Sequence, residues 1–172
     1  MAGSIRGCVV RSMGAGPPLT TQDPTMRKQI LAAILVLAPV ASAQFAWRDA
    51  LDAIKQVETG SGSGVGVKGD GGRAAGPLQI HRIYHIDAAE RDRSLTDYQR
   101  CLTDRAYSER VVQAYMRRYC RSQAARLDAG KATLADLERI ARCHNGGPKG
   151  YRKRATLGYW NKVRKHLMTG KR

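Results

Sequence analysis

Val57-Glu58-Thr59-Gly60 closes an amphipathic segment that begins at Trp47, and the apolar pattern resumes only at Gly76-Pro77-Leu78-Gln79-Ile80. In the opening segment Trp47, Ala50, Leu51, Ile54 and Val57 recur at the period of a helix that buries one face. Glycine at position 60 stops that helix. Between the two stretches, eight of the seventeen positions from Gly60 to Gly76 are glycine. Such a density excludes an ordinary helix and predicts a loop or a short, irregular hairpin forming the lip of a cleft. A disordered linker is the alternative; the immediate return of Pro77-Leu78-Gln79-Ile80, and of Ile80, Ile83 and Tyr84 at helical spacing, argues against it.

Working outward, Asp104 or Ser108 opens a long helix with Tyr107, Val111, Tyr115, Met116 and Tyr119 on one stripe, running towards Leu127 before Gly130 ends it. Thr133-Leu134-Ala135-Asp136 starts the next helix with a cap and a first-turn acid. Leu137, Ile140 and Ala141 supply its buried face, and it stops at His144-Asn145-Gly146-Gly147-Pro148. A final helix from Thr156 turns Leu157, Trp160, Val163 and Leu167 inward and leaves Lys162, Arg164, Lys165 and His166 in water. There is no internal repeat and no strand pattern beyond the glycine-rich lip. The fold class is mainly α.

The N-terminal side bears on location. Met26-Arg27-Lys28, the apolar run Ile30 to Val40 and then Ala41-Ser42-Ala43 have the three regions of a secretory signal, with cleavage expected after Ala43. Residues 1–25 precede a second methionine and read as a non-native or disordered extension, residues 26–43 as the signal, and residues 44–172 as one domain. The mature protein is expected in the periplasm or the medium. The apolar run is about a dozen residues, shorter than the roughly 20 a spanning helix needs, so no membrane anchor is expected. Removing residues 1–43 takes away four basic residues and one acid and leaves +13 of the formal +16. That charge favours an anionic partner: nucleic acid, acidic lipid, or the phosphate- and carboxylate-rich polymers of a bacterial wall. Nothing resembles a recognition helix, a zinc finger or an aromatic RNA platform, so nucleic acid is not expected.

Cys101, Cys120 and Cys143 remain in the mature chain, an odd count that permits at most one internal disulfide. Cys120 and Cys143 lie on consecutive predicted helices, where they can meet. No spacing among Cys, His and carboxylates matches a zinc site, and His81, His85, His144 and His166 are scattered. No metal or other cofactor is expected.

Glu58 and Asp70 stand twelve residues apart on either side of the lip. Breaking an acetal near neutral pH requires a protonated acid beside the leaving oxygen and a negative charge or nucleophile across the sugar ring, because the transition state resembles an oxocarbenium ion. Glu58, set against an apolar helix face, suits the acid; Asp70, flanked by glycines and open to water, suits the anion. The plainer readings are a helix-end carboxylate for Glu58 and a turn-former for Asp70.

Five pieces then carry a resemblance: Glu58-Thr59-Gly60; Gly69-Asp70 with Gly76-Pro77-Leu78-Gln79-Ile80; Tyr115-Met116-Arg117-Arg118-Tyr119; His144-Asn145-Gly146-Gly147-Pro148; and Tyr159-Trp160-Asn161-Lys162-Val163. In this order, over residues 47–165, the chain resembles the invertebrate-type lysozymes, which include the destabilases. The resemblance implies a lysozyme-like fold and hydrolysis of the β-1,4 bond between N-acetylmuramic acid and N-acetylglucosamine in peptidoglycan. It maps the general acid onto Glu58 and the second carboxylate onto Asp70. Gln79, His144 and Asn145 are expected at the cleft as substrate contacts, and Tyr84 and Tyr159 as rings that stack on sugars; Trp160 reads as core. Animal members of the family are cysteine-rich, whereas Tyr107 and Val111 stand where cysteines are expected, which points to a distant, cysteine-poor branch with a bacterial source as the expectation. Arg73, Ala75 and His81 replace the residues that resemblance associates with isopeptide cleavage, so that activity is not carried over. Two alternatives stay open. One is the goose-type lysozyme and lytic transglycosylase group, which His144-Asn145-Gly146-Gly147-Pro148 fits less well. The other is a non-catalytic, cationic wall-binding module.

Overall fold

A computed structural model describes residues 44–170. The extension and signal expected over residues 1–43 lie outside the described residues. Helix α1 (Trp47–Thr59) buries Trp47, Ala50, Leu51, Ala53 and Ile54 on one face, with Val57 partly covered beside them. Its start is pinned: the Phe45 N–H donates to the Ala132 carbonyl at 2.9 Å, and Trp47 Nε1 donates to Asp128 Oδ1 at 2.7 Å. Its end is held by Lys55, which is only 5 % exposed. The Lys55 ammonium donates to the Gly60 carbonyl at 2.8 Å and also to the Gly62 carbonyl, tying the start of the loop to the helix. A buried lysine needs such partners, and these two fix the turn on which Glu58 sits.

The lip is a three-stranded antiparallel sheet of two-residue strands, β1 (Lys68–Gly69), β2 (Ala74–Ala75) and β3 (Ile80–His81), in the order β1-β2-β3. Lys68 pairs with Ala75 and Ala74 with His81. A 3₁₀ turn over Asp70–Gly72 joins the first two strands. One glycine is sterically required here: a Cβ at Gly76, where φ is +71°, would stand 1.8 Å from the Cys101 carbonyl oxygen.

β3 corrects the sequence expectation. Ile80 belongs to a strand, and helix α2 (Arg82–Ala89) begins only after it. Ile80 is fully buried while Ile83 is 67 % exposed, so the two do not share a stripe. Pairing with Ala75 claims Ile80 before the helix can.

Helix α3 (Arg100–Thr103) is short and was not foreseen. Helix α4 (Arg105–Tyr119) is capped by Asp104, whose carboxylate accepts the Tyr107 N–H at 2.9 Å. The expected run to Leu127 is broken at Cys120, where φ −130° and ψ 49° leave the helical region, and α5 (Arg121–Asp128) follows. The break lets Ala124 and Leu127 bury themselves in the same core as Val111, Tyr115 and Met116. Helix α6 (Leu134–Gly146) opens with a reciprocal cap: the Asp136 carboxylate accepts the Thr133 N–H at 2.8 Å, and Thr133 Oγ1 accepts the Asp136 N–H at 3.3 Å. Gly147, at φ 80°, ends it.

Helix α7 (Leu157–Thr169) packs against α1 and α6 and buries Trp160, Val163 and Leu167. Leu157 does not point inward as expected: it is 39 % exposed, because a 3₁₀ turn over Arg154–Thr156 precedes the helix and buries Thr156 in its place. Cys101, Cys120 and Cys143 are all buried free thiols. Cys120 and Cys143 are close enough to influence each other, the pairing pushing the Cys120 thiol up and pulling the Cys143 thiol down, while Cys143 Sγ donates to the Pro148 carbonyl at 3.6 Å. No helix among the described residues is long and apolar enough to cross a membrane.

Candidate active site

The last turn of α1, the lip and the C-terminal end of α6 converge on a cleft of about 200 Å³. Glu58, Asp70, Gln79, His144 and Asn145 all line it, together with Ala74 and His81. Thus both carboxylates singled out in the sequence open onto one groove.

Their surroundings differ. The Glu58 side chain is 19 % exposed and the Asp70 side chain 47 %. On the protein side, Tyr159 donates its hydroxyl hydrogen to Glu58 Oε1 at 2.7 Å. His144 Nε2 stands 3.6 Å from the same oxygen, too far for a hydrogen bond. Burial, and then the Glu58 charge and this hydrogen bond, hold the Tyr159 phenol well above its ordinary value. Tyr159 therefore keeps its proton and stays a donor. Among the described residues the contacts of the Glu58 carboxyl converge on Oε1, which leaves Oε2 for the cleft.

His144 is itself fixed. Its side chain is 4 % exposed, and its Nε2 lies 3.2 Å from the Leu78 carbonyl, which can only accept. Nε2 is thus the protonated nitrogen, and Nδ1 accepts from the Tyr84 hydroxyl at 3.3 Å. Burial pulls the His144 pKa down against the raising influence of the Glu58 charge, so the ring is a neutral, oriented dipole.

Tyr84 and Tyr159 are the predicted site residues that do not line the cleft. The Tyr84 ring stacks on Tyr115 with centroids 3.6 Å apart, and the residue is 8 % exposed, so it has no free face for a sugar. It acts behind His144 rather than on a ligand. Tyr159, likewise expected to stack on a sugar, instead turns its hydroxyl onto Glu58. Trp160 is core, as expected.

Asp70 sits on the 3₁₀ turn with φ 48°, a left-handed conformation that aspartate tolerates better than most residues. Arg73 Nη2 donates to its Oδ1 at 2.8 Å, and His81 Nε2 is 3.5 Å from its Oδ2. Neither clamp was visible in the sequence, although Arg73 follows Asp70 by three positions. Gln79 also has positive φ, 46°. Its side-chain amide donates to the Gly76 carbonyl at 2.8 Å, and its backbone N–H reaches the same oxygen at 3.1 Å. That double hold sustains a conformation which costs a glutamine on the order of 1 kcal/mol. Asn145 is exposed at the groove's edge, free of such constraints among the described residues.

Comparison with known proteins bears on the family and the fold. The Destabilase family profile matches residues 48–166. A lysozyme of Ostrea edulis is 34 % identical over 141 residues, covering 78 % of this chain and 94 % of that protein. Lysozyme 1 of Crassostrea virginica is 40 % identical over 90 residues, which cover 52 % of this chain but only 43 % of that longer protein. The crystal structure of Tapes japonica lysozyme superposes with a TM-score of 0.53 at 31 % identity, covering 69 % of this chain and 88 % of that one.

Proposed function

The chain belongs to the Destabilase family and is a peptidoglycan hydrolase of the lysozyme kind, and from that premise we propose that Glu58 is its general acid and Asp70 its second carboxylate. The bond cut is the β-1,4 linkage between N-acetylmuramic acid and N-acetylglucosamine. The observation that carries the assignment of roles is that two carboxylates of unequal exposure line one groove.

Glu58 delivers a proton from Oε2 to the glycosidic oxygen while Tyr159 holds Oε1. As the leaving sugar takes the proton, the new carboxylate keeps the Tyr159 hydrogen bond, a charge-assisted contact stronger than a neutral one. The anomeric carbon becomes positive in the same step, and Asp70, oriented by Arg73 and His81, supplies the opposing charge. Gln79 and Asn145 stand where sugar hydroxyl and N-acetyl groups pass. Water then bonds to the anomeric carbon and gives one proton to the Glu58 carboxylate, which restores the acid.

Glu58→Gln keeps the size and the Tyr159 contact but has no proton of the required acidity. Lysis of a peptidoglycan suspension, followed by turbidity, is expected to drop by at least about a hundredfold, with circular dichroism and wall binding unchanged. A substituted protein that clears the suspension as fast as the parent overturns the assignment. Mass spectrometry of the fragments is expected to show reducing muramic acid ends; anhydro ends in the majority would make the enzyme a transglycosylase.

We also propose that the mature chain begins after Ala43 and acts outside the cytoplasm. Terminal sequencing of exported protein tests this.

A further inference from the structure

We propose that a second pocket beside the cleft, bounded by Arg82, Arg93, Asp97, Tyr98 and Ile86, binds the peptide stem carried by the muramic acid lactyl group. The inference rests on the muramidase reading for its substrate, and on the following observations for its site.

The pocket has a volume of about 560 Å³, larger than the cleft, and it lies against α2 and the segment that leads into α3. The two spaces meet at consecutive residues. His81 lines the cleft, and the next residue, Arg82, lines the pocket. Tyr98 forms part of the pocket, and its hydroxyl lies 2.9 Å from the Ile80 carbonyl and 3.1 Å from the Arg73 carbonyl. It is therefore fastened to β3 and to Arg73, which follows the turn that carries Asp70.

The chemistry of the pocket is mixed in a way that a neutral glycan does not call for. Arg82 stands 5.9 Å from the Tyr98 ring centroid, and among the described residues neither it nor Arg93 is ion-paired, whereas nearby Arg100, Arg110 and Arg118 are. Glu90 is taken up by Arg118. The Asp97 carboxylate accepts the Gln99 N–H at 2.9 Å and, among the described residues, faces no cation within ion-pair distance. Ile86, 47 % exposed, adds an apolar surface next to these charges. Two guanidinium groups, one carboxylate and an apolar patch match a short peptide built from alanine methyl groups, free carboxylates and a diamino acid. Guanidinium groups bind carboxylates in paired, planar hydrogen bonds, and a carboxylate suits the side-chain amine.

The test uses Arg82→Gln/Arg93→Gln in the full mature enzyme. Two substrates are compared: intact peptidoglycan, and the same glycan strands stripped of stems by an amidase. The parent is expected to prefer the intact material. The double variant is expected to lose roughly fivefold in kcat/KM on it, mostly through KM, and nothing on stripped strands, the size that two exposed ion pairs provide. Equal losses on both substrates, or none on either, overturn the proposal.

Binding of the free tetrapeptide L-alanyl-γ-D-glutamyl-diaminopimelyl-D-alanine to Glu58→Gln, with and without the two arginine substitutions, separates this idea from the assignment beneath it. Peptide binding that the arginine substitutions abolish, in an enzyme whose parent cuts no glycan, sustains the pocket and defeats the muramidase reading. Glycan cleavage with no peptide binding does the reverse.

Discussion

Glu58 turns one oxygen to the protein and the other to the groove, and the division is set by Tyr159, whose hydroxyl reaches it across 101 residues of chain. Tyr159→Phe removes the donor and nothing else. A hydrogen bond to a charged group is worth about 1.5–3 kcal/mol, so kcat on peptidoglycan should fall roughly tenfold or more with KM little changed. A purely structural tyrosine would instead lower the melting temperature and leave kcat alone, and thermal unfolding run alongside the kinetics distinguishes the two. At Asp70 the backbone itself restricts the choice of carboxylate. With φ at 48°, aspartate and asparagine fit while glutamate is strained. Asp70→Asn should fold like the parent and be inactive, and Asp70→Glu should fail to restore lysis while also unfolding at lower temperature. The sequence held the two carboxylates plainly, because their types and their glycine setting are local facts. The roles of Tyr84 and Tyr159 were not legible, since an aromatic residue near a cleft reads the same whether its ring or its hydroxyl does the work.

At the scale of elements, the capped start of α6 makes a measurable contribution. Arg126 and the Thr133 cap hold the Asp136 carboxyl down to about 2, from an ordinary 3.8. The unfolded chain takes the proton first as pH falls, so this stabilisation is complete above 3.8 and is lost on the way down through about 2. Asp136→Asn should cost about 2 kcal/mol near neutrality and flatten the acid limb of a urea-unfolding series. In the lip, Gly76→Ala pushes a methyl group into the Cys101 carbonyl and should cost about 2–3 kcal/mol, read as a drop of several degrees in melting temperature. The helices α1, α6 and α7 could be read from spacing and caps because their faces are continuous. The kink at Cys120 and the strand at Ile80 could not, since both follow from which distant partner claims a residue, Ala75 in the second case. Lys55 was missed for a related reason: pattern reading counts lysine as solvent-facing, and only the loop that folds back over it supplies its carbonyl partners.

Over the whole molecule, charge and cohesion are arranged separately. The +13 expected for residues 44–172 is spread over a surface on which many arginines are already engaged with acids, among them Arg105, Arg117 and Arg126. Attachment to an anionic wall is then a sum of weak, screened attractions. Raising salt past about 0.15 M, where the screening length is about 8 Å, should release the inactive Glu58→Gln protein from walls without altering its circular dichroism. Binding indifferent to salt would remove the net charge as the reason for attachment.

The three cysteine thiols buried among the described residues are unlinked. What holds the helices together among the described residues is therefore packing with hydrogen bonds and ion pairs, with no covalent clasp for a reducing medium to open. Dithiothreitol should neither slow lysis nor hinder recovery from urea. An enzyme assembled on those terms reaches its working shape without any oxidative folding machinery, and can be made in quantity in a compartment that has none.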